Sequence, residues 1–387
     1  MKYKRKQRLG TELLQEVNKT AHLTVRGKTY TFQPLRLGIM LLAGLLALVI
    51  IINILLIPVR KPKTLDMGFE AGGEYTMLPF SSHILMYNRQ QMREVTTAGK
   101  TVWEAEISMS QPIVETAEDY ILLADLSGNN AASLYKNGTK IYDYAMSDDI
   151  ISAKVNPKGM TAFATATVGY KGKVIVYDKK GVERFSWNSG EGYILDVALD
   201  EKGKYLAVAQ LSSDGTEADS RIQMIDLRRK KVVATTERKG TAISEIRFSN
   251  DRLLTVSDLE LCGLKTNGKL AFSVSFGGKN PSKFDISGDE LLAFVTTDNR
   301  GNEVLELYNT RGKLKGSYRA DSAIKNLSVF EDMVVIARQR DVLYINKRGK
   351  LKKTAAAEFD IKSLGLYGDG HTALAAGNTL AYIVRVR

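Results

Sequence analysis

Residues 266–272 read Thr-Asn-Gly-Lys-Leu-Ala-Phe, a glycine-centred turn followed by the start of a β-rich run. Asn-Gly between such runs indicates a β-hairpin, because glycine readily adopts the positive φ of a tight turn. From Gly99 to Gly349, similar turns follow one another in steps of about 42 residues, the period of a four-stranded propeller blade. The similar stretches are Thr97–Trp103, Lys136–Tyr142, Lys180–Phe185, Thr310–Leu314, Lys347–Leu351 and a degenerate copy, Leu227–Val233.

A second turn keeps phase with the first and leads into a strand of small and apolar residues. We interpret it as the turn between the first two strands of each blade, with the second strand buried on both faces. Two turns in phase within one period indicate a repeat more strongly than either turn alone. The second turns lie in Asn156–Phe163, Asp200–Val208, Ser249–Val256 and Ser287–Phe294.

The repeats divide residues 73–387 into eight units, so the chain is predicted to be an all-β protein with an eight-bladed propeller. The last unit, Ile361–Arg387, has room for only three strands, and Thr64–Ala71 is expected to supply the missing outer strand. Closing the ring in this way avoids an open sheet edge, where aggregation starts. Seven blades is the alternative if residues 64–107 do not form a full blade. The units begin near Tyr75, Gln111, Ile150, Tyr193, Ala242, Pro281, Ala323 and Asp360.

A stretch without any charge, Leu37–Val59, precedes this domain and is flanked by Arg36 on one side and by Arg60, Lys61 and Lys63 on the other. At about 1.5 Å per helical residue it is long enough to cross a hydrocarbon core of about 30 Å. The alternatives are a buried core helix and a cleaved signal peptide, but the run is long and ends in a poor cleavage site. We predict an uncleaved signal anchor at 37–59 and a linker at 60–72.

Basic residues set the predicted orientation. Residues 1–36 carry nine Lys and Arg against Glu12 and Glu16, so the positive-inside rule makes them a cytoplasmic tail and places the propeller outside the cell membrane. Residues 37–387 carry 46 basic and 41 acidic side chains without a concentrated block, which argues against nucleic-acid binding. The single cysteine, Cys262, excludes an internal disulfide, as fits a bacterial envelope protein.

Three short features precede the predicted span. Residues 1–8 form a basic run that is expected to touch anionic lipid headgroups. Leu9, Leu13, Leu14 and Val17 predict a short amphipathic helix from Gly10 to about Lys19. His22–Val25 and Thr29–Phe32 predict a small β-hairpin, which either packs near the membrane or docks a cytoplasmic partner.

The Gly-Lys-x-x-Trp and Gly-Lys-x-x-Phe hairpins resemble those of quinoprotein-type and WD40-like propellers. Nearly the whole chain resembles bacterial single-pass membrane proteins with a propeller ectodomain, found in Gram-positive Clostridia-type organisms. The Trp-Asp dipeptide of WD40 repeats is absent, and so are the cofactor ligands of a quinone-binding member. The resemblance therefore implies a fold and a topology, and it carries no catalytic residue or cofactor to this sequence.

Candidate chemical groups are few. Of the three histidines, His22 is predicted to lie inside the cell, while His83 and His371 lie in the first and last units and would be neighbours in a closed ring. Turn positions are favoured for both over a shared metal site. Cys262 lies in an apolar run and is interpreted as a buried small hydrophobe. No catalytic triad and no glycine-rich phosphate loop is recognisable.

Four further features have a functional and a structural interpretation. Asp298–Glu303 has oxygen donors but lacks calcium-loop spacing, and Asp214–Asp219, in the longest loop (Leu211–Ser220), is either a solvated hairpin or a partner-binding loop. Trp103 and Trp187 either pack between blades or form sugar-binding platforms. Asn53 is the one strongly polar side chain of the predicted span and is a weak indication of helix pairing.

The sequence favours a non-enzymatic protein-interaction scaffold that binds another envelope protein, with the bilayer as a second partner through residues 37–59. The alternative is a ligand-sensing or cell-wall-glycan-binding module, which would need an aromatic-lined pocket near the axis. The scarcity of His, Cys and clustered acids disfavours an enzyme, and no catalytic, cofactor-binding or metal residue is predicted.

Overall fold

The computed structural model describes residues 21–25, 28–32, 39–49, 64–66, 75–126, 131–213 and 217–385, and the chain divides into two compact units, Met1–Lys61 and Pro62–Arg387. In the first unit β1 (Ala21–Val25) pairs with antiparallel β2 (Lys28–Phe32), which confirms the predicted hairpin. Residues 39–49 are helical, and within the described ranges no helix has the length and apolar character to cross a bilayer. The basic run 1–8, the predicted helix at Gly10–Lys19, residues 37, 38 and 50–59 of the predicted span and most of the linker 60–72 lie outside the described residues.

The second unit is a propeller, because in its described part eight four-stranded antiparallel sheets follow one another along the chain. Blade 1 consists of β4 (Thr76–Phe80), β5 (His83–Tyr87), β6 (Gln91–Val95) and β7 (Thr101–Glu106), and blade 2 of β8 (Pro112–Ala117), β9 (Tyr120–Asp125), β10 (Ala131–Lys136) and β11 (Thr139–Ala145). Blade 3 consists of β12 (Ile150–Val155), β13 (Thr161–Thr165), β14 (Lys173–Tyr177) and β15 (Glu183–Asn188), and blade 4 of β16 (Tyr193–Leu199), β17 (Tyr205–Ser213), β18 (Ala218–Asp226) and β19 (Lys231–Arg238).

Blades 5 to 8 repeat the pattern, and the first strand of each begins within three residues of its predicted position. Blade 5 consists of β20 (Ile243–Ser249), β21 (Arg252–Ser257), β22 (Glu260–Lys265) and β23 (Leu270–Ser275), and blade 6 of β24 (Lys283–Asp285), β25 (Leu291–Thr297), β26 (Glu303–Asn309) and β27 (Leu314–Arg319). Blade 7 consists of β28 (Asn326–Phe330), β29 (Met333–Ala337), β30 (Asp341–Asn346) and β31 (Leu351–Ala356), and blade 8 of β32 (Ser363–Leu366), β33 (Thr372–Ala376), β34 (Leu380–Arg385) and β3 (Thr64–Asp66).

Blade 8 is completed by the first strand of the unit. β3 pairs antiparallel with β34, with Thr64 opposite Tyr382 and Asp66 opposite Leu380. This is the place that the sequence assigned to a closing strand. The ring has eight blades in the described residues, so the seven-bladed alternative is excluded.

The core lies between neighbouring blades. Eight clusters of buried apolar side chains each join one blade to the next, and one of them packs Tyr75 and Met77 of blade 1 against Leu374 of blade 8. The second strands are the most deeply buried, and β13, β29 and β33 are buried at every residue. Short apolar strands rich in alanine fit this position because both of their faces are covered.

The two ends of the ring are distinguished by their connections. At the end that we call the turn end, tight turns join the first strand to the second and the third to the fourth; the end opposite, the loop end, carries the other connections. In each of blades 1 to 7 a β-bulge interrupts the pairing of the third and fourth strands beside the outer turn. Since β3 is antiparallel to β34, which runs towards the turn end, the chain enters the propeller at the turn end.

Candidate protein-binding surface

An exposed apolar group lies at the loop end of blades 3 and 4. Val168 is 93% exposed and Tyr170 53% exposed, both in the loop between β13 and β14, and Tyr193 at the start of β16 is 59% exposed. Lys171 lies over the ring of Tyr193, with its Nζ 4.5 Å from the ring centroid and 3.1 Å from the hydroxyl oxygen. We call Val168, Tyr170, Lys171 and Tyr193 the loop-end patch.

Hydrogen bonds beneath the patch hold its two segments together. The backbone N–H of Lys171 donates to the carbonyl of Ser189 at 2.8 Å, and that of Ser189 donates to the carbonyl of Gly172 at 2.8 Å. Gln210, which is buried, donates from Nε2 to Oγ of Ser189 at 2.5 Å. The aromatic rings are therefore presented on backbone that is fixed before any partner arrives, which lowers the entropic cost of binding.

The longest hairpin of the propeller lies in the same blade as Tyr193. The strands β17 and β18 contain nine residues each and meet at the loop between Ser213 and Ala218. Arg221 of β18 pairs with Glu191 in the connection before β16 and, at 2.9 Å, with Glu237. The sequence identified this loop as a partner-binding candidate, and residues 214–216 at its tip lie outside the described residues.

A second candidate site is a charged cluster on the innermost strands of blades 2 to 6. Lys154 pairs with Glu115 at 2.7 Å across blades 2 and 3, and Asp196 accepts hydrogen bonds from Ser152 Oγ at 2.8 Å and from the backbone N–H of Ile246 at 3.0 Å. The same type of hydrogen bond between neighbouring inner strands recurs farther round the ring, where the carboxylate of Asp285 accepts a hydrogen bond from the backbone N–H of Val329 at 2.9 Å. These bonds connect the inner strands of blades 2 to 5 in succession and that of blade 6 to that of blade 7.

Burial and the neighbouring charges shift the pKa values in this cluster. Burial raises the pKa of Glu245 to about 7; Lys154 opposes the shift, and the charges of Asp196, Asp285 and Glu115 add to it. Burial alone would lower the pKa of Lys154, but Glu115, Asp196 and Glu245 outweigh it and raise that pKa. The five groups lie on the innermost strands of consecutive blades, 2 to 6, and the innermost strands of a propeller line its axis, so the inner-strand cluster lies along one side of the axis.

The inner-strand cluster was not identified from the sequence, although a signal was present. Each member is a charged side chain in a first strand, and two of them directly follow apolar residues, as in Ile113-Val-Glu115 and Ile194-Leu-Asp196. Its hydrogen bonds and ion pair serve to join blades. Within the described residues no group of three or more His, Cys, Asp or Glu side chains could hold a metal ion.

The two described histidines of the propeller lie at the turn end in separate environments. His83 Nδ1 lies 2.5 Å from Oε1 of Glu94, which also accepts a hydrogen bond from Nε1 of Trp103. His371 is exposed, and its backbone N–H donates to Asp369. Cys262 is 1% exposed, and burial raises the pKa of its thiol to about 12.

The remaining sequence candidates have structural roles in the described residues. The carboxylate of Asp298 accepts the backbone N–H groups of Arg300 and Asn302 at 2.8 and 3.0 Å and pairs with Arg319 at 2.8 Å, so it shapes its own turn. Trp103 stacks on Tyr135 of blade 2, with ring centroids 5.8 Å apart, and Trp187 packs against the core between blades 3 and 4. Both tryptophans therefore pack between blades.

Two surface clefts are lined by charged and polar side chains. A cleft of about 240 Å³ at the turn end lies between blades 6 and 7 beside Glu290, Arg311 and Lys347, and one of about 510 Å³ at the loop end of blade 7 lies beside Lys325 and Arg338. No described residue that lines either cleft is aromatic. Neither cleft provides the stacking surface that sugar rings require.

Comparison with protein families gives one match that covers most of the chain. The model of the family described as "Family of unknown function (DUF5711)" matches residues 63–374. Among proteins with curated descriptions, none matches this sequence.

Solved propellers resemble the structure at low sequence identity. The C-terminal WD40 domain of Sif2 is 16% identical with a TM-score of 0.61, and the match covers 85% of this chain and 98% of that one. BamB from Moraxella catarrhalis is 12% identical with a TM-score of 0.54, and the match covers 84% of this chain and 96% of that one. Similarity at this level shows the propeller fold alone.

Proposed function

We propose, starting from the fact that the chain belongs to the family of unknown function DUF5711, that it is a membrane-anchored, non-enzymatic protein-interaction scaffold. Residues 37–59 would anchor it, with residues 1–36 in the cytoplasm and the propeller on the outer side of a bacterial cell membrane. The propeller would bind another envelope protein at its loop end. The charge distribution of the tail and the charge-free stretch support the anchor, and the fold is compatible with a scaffold.

The observation that carries the binding role is the loop-end patch. The patch contains a valine that is 93% exposed beside two tyrosines that are more than half exposed. Exposure of this apolar surface to water is unfavourable in free energy, and a partner that covers the patch in the functional state would remove that penalty. Tyrosine is enriched among residues that dominate binding energy, because its ring is large and loses little conformational freedom. The partner that fits is a protein segment with apolar side chains that cover Val168 and polar groups that reach the hydroxyls of Tyr170 and Tyr193.

Site-specific photo-crosslinking in cells tests this proposal. A photoreactive amino acid at Tyr170 or Val168 is expected to give one defined adduct with an envelope protein, identified by mass spectrometry. The same amino acid at Ala98, an exposed residue at the turn end, should not give that adduct. The adduct should also disappear when Tyr193 is changed to Ser while the crosslinker stays at Tyr170.

Two outcomes would contradict the proposal. Adducts of equal yield from Tyr170 and Ala98 would mean that the patch has no preferred partner. If the protein with the crosslinker at Val168 is recovered from intact cells without any adduct, the patch does not bind a partner.

The ligand-sensing and glycan-binding alternative is not favoured by a specific observation. The inner-strand cluster along the axis consists of carboxylates and one ammonium group, and the lining residues of the two clefts are not aromatic. Sugar recognition normally uses an aromatic face together with polar groups.

A further inference from the structure

Basic and aliphatic side chains form a band around the turn end. Each outer turn of blades 1 to 7, together with the residues beside it, contains at least one Lys or Arg, from Lys100 in blade 1 to Lys347, Arg348 and Lys350 in blade 7. Each of blades 1 to 7 also exposes an aliphatic side chain within two residues of the start of its outermost strand. Those of Val102, Val182, Leu270, Leu314 and Leu351 are between 45% and 52% exposed, and Ile141 and Val232 take this place in blades 2 and 4. We call this band the turn-end rim.

The rim concentrates positive charge in a domain that is nearly neutral as a whole. Residues 64–387 carry 43 Lys and Arg against 41 Asp and Glu. The two carboxylates in the outer turns are already engaged: Asp178 accepts the backbone N–H of Lys180 at 2.8 Å, and Asp226 accepts that of Arg228 at 3.0 Å. Glu183 is exposed at the start of β15, and Glu94 in β6 accepts a hydrogen bond from Trp103. Further acidic groups at this end, such as Asp289 and Glu290, belong to the inner turns, nearer the axis.

An anionic lipid surface fits the rim better than a groove-bound ligand does. The rim repeats a cation beside an aliphatic side chain seven times round the ring. A partner that contacts all seven repeats must present negative charge over an extended surface. Lysine and arginine near such a surface each gain favourable electrostatic energy, while adjacent Val, Ile and Leu side chains can enter the headgroup boundary. The long stems of the basic residues keep their charges at the phosphates.

The direction in which the chain enters the propeller also favours a membrane at the turn end. This argument rests on the membrane anchor of the proposed function. β3 begins at the turn end with Thr64, and only residues 60–63 separate it from Val59, the last residue of the predicted span. Four residues reach at most about 14 Å when extended. A chain that leaves a bilayer at Val59 therefore enters the propeller from the end that carries the rim.

We propose that the turn-end rim docks on the anionic phospholipid headgroups of the membrane. In this arrangement the loop-end patch faces away from the bilayer, towards a partner. The rim would then fix the height and tilt of the propeller, which a single helix and a four-residue connection leave free.

Lipid quenching of a fluorescent label tests the docking. The full chain, carrying Ala98→Cys in the outer turn of blade 1, is labelled and placed in nanodiscs that contain a lipid with a quenching headgroup. The native thiol of Cys262 is buried and should stay unlabelled. We expect at least about twofold quenching with phosphatidylglycerol present and much less with phosphatidylcholine alone, since the attraction is electrostatic. A label at Gln90→Cys, at the loop end of the same blade, should be unquenched in both.

Charge reversal provides the matched control. K269E/K313E/K350E should abolish the phosphatidylglycerol-dependent quenching, whereas K239E/K279E/K325E, an equal change at the loop end, should preserve it. Salt at about 0.5 M, where the Debye length is below about 5 Å, should weaken it as well. Unchanged quenching in the rim variant, or equal quenching from both label positions, would overturn the proposal. Loss of a co-purifying protein with unchanged quenching would instead make the rim a protein-binding surface.

A failure of the anchor can be told apart from a failure of docking. If the chain does not enter nanodiscs, the anchor is wrong, and the labelled full chain is then mixed with preformed vesicles that contain phosphatidylglycerol and the quencher lipid. Quenching at Ala98→Cys that the rim variant loses would still support docking. Its absence there would overturn the proposal.

Discussion

Gly138, in the outer turn of blade 2, lies directly against the indole ring of Trp103 in the outermost strand of blade 1. A Cβ atom at Gly138 would fall well inside 3.0 Å of three indole atoms, and the residue has a φ of +76°. Gly312 of blade 6 stands in the same relation to Phe272 of blade 5. The repeated glycine therefore serves two purposes, since it makes the turn and allows the neighbouring blade to approach.

Gly138→Ala should destabilise the propeller by about 1–3 kcal/mol, because it combines strained backbone with a steric clash in a packed interface. Thermal or urea unfolding measures the change. Gly190→Ala is the control, since a Cβ there meets nothing within 4 Å and its φ is not positive. Equal unfolding free energies of the two variants would show that the outer turn accommodates the added methyl group without loss of stability.

Glu245→Gln should make stability less dependent on pH. The pKa of Glu245 in the folded protein is about 7, above that of an unfolded glutamate, so the folded state loses stability as the pH rises through that range. The variant should match the native chain near pH 4 and exceed it by about 1–3 kcal/mol at pH 8. Unfolding free energies at several pH values provide the test. Glu201→Gln, at an exposed position, should leave the curve unchanged.

Replacing Thr64–Asp66 with three glycines should open the ring at blade 8. The pairing of Thr64 with Tyr382 and of Asp66 with Leu380 would be weakened, because glycine costs backbone entropy in a strand. Hydrogen exchange followed by mass spectrometry should show faster exchange in β34 and unchanged exchange in blades 3 and 4. A uniform change across all blades would mean that β3 does not act locally.

Tyr170→Ser and Val168→Asp should each weaken binding of the crosslinked partner by at least about tenfold, the cost of losing a central aromatic or of burying a charge in an apolar contact. Binding can be titrated with purified proteins once the partner is identified. Val102→Ser, at a turn-end position about as exposed as Tyr170, should bind normally. A partner that binds all three variants equally would belong to another surface.

Cys262 should resist alkylation in the native protein at pH 8 and react after denaturation. Burial holds its thiol pKa near 12, so almost no thiolate is present, and the residue is only 1% exposed. Mass spectrometry of maleimide-treated protein gives the answer directly. Rapid labelling without denaturant would show that β22 opens readily.

The blade count and the turns were predictable because they depend on local signals. Glycine at fixed offsets, as at Gly268 and Gly312, and short apolar runs at a constant period each indicate a single hairpin. Seven such outer turns at one period, together with the shorter last unit, predict the ring. The loop-end patch was not predictable, because Val168 and Tyr193 lie in different blades and only the folded ring shows that both are exposed. The inner-strand cluster was missed for the same reason: Glu115 and Glu245 are 130 residues apart in sequence, and only the folded ring brings their charges within range of each other.

The closing strand has a consequence for the biogenesis of the protein. Thr64–Asp66 is synthesised before the other described propeller strands, yet its pairing partner, β34, is synthesised after all of them. If the domain is exported as its synthesis proceeds, seven blades can form while the first strand still waits unpaired, with its backbone groups open to wrong partners. A truncation before β34 would therefore leave β3 without a partner and β33 with an open edge, both in blade 8. The codons for β34 would then decide whether the domain matures or is degraded.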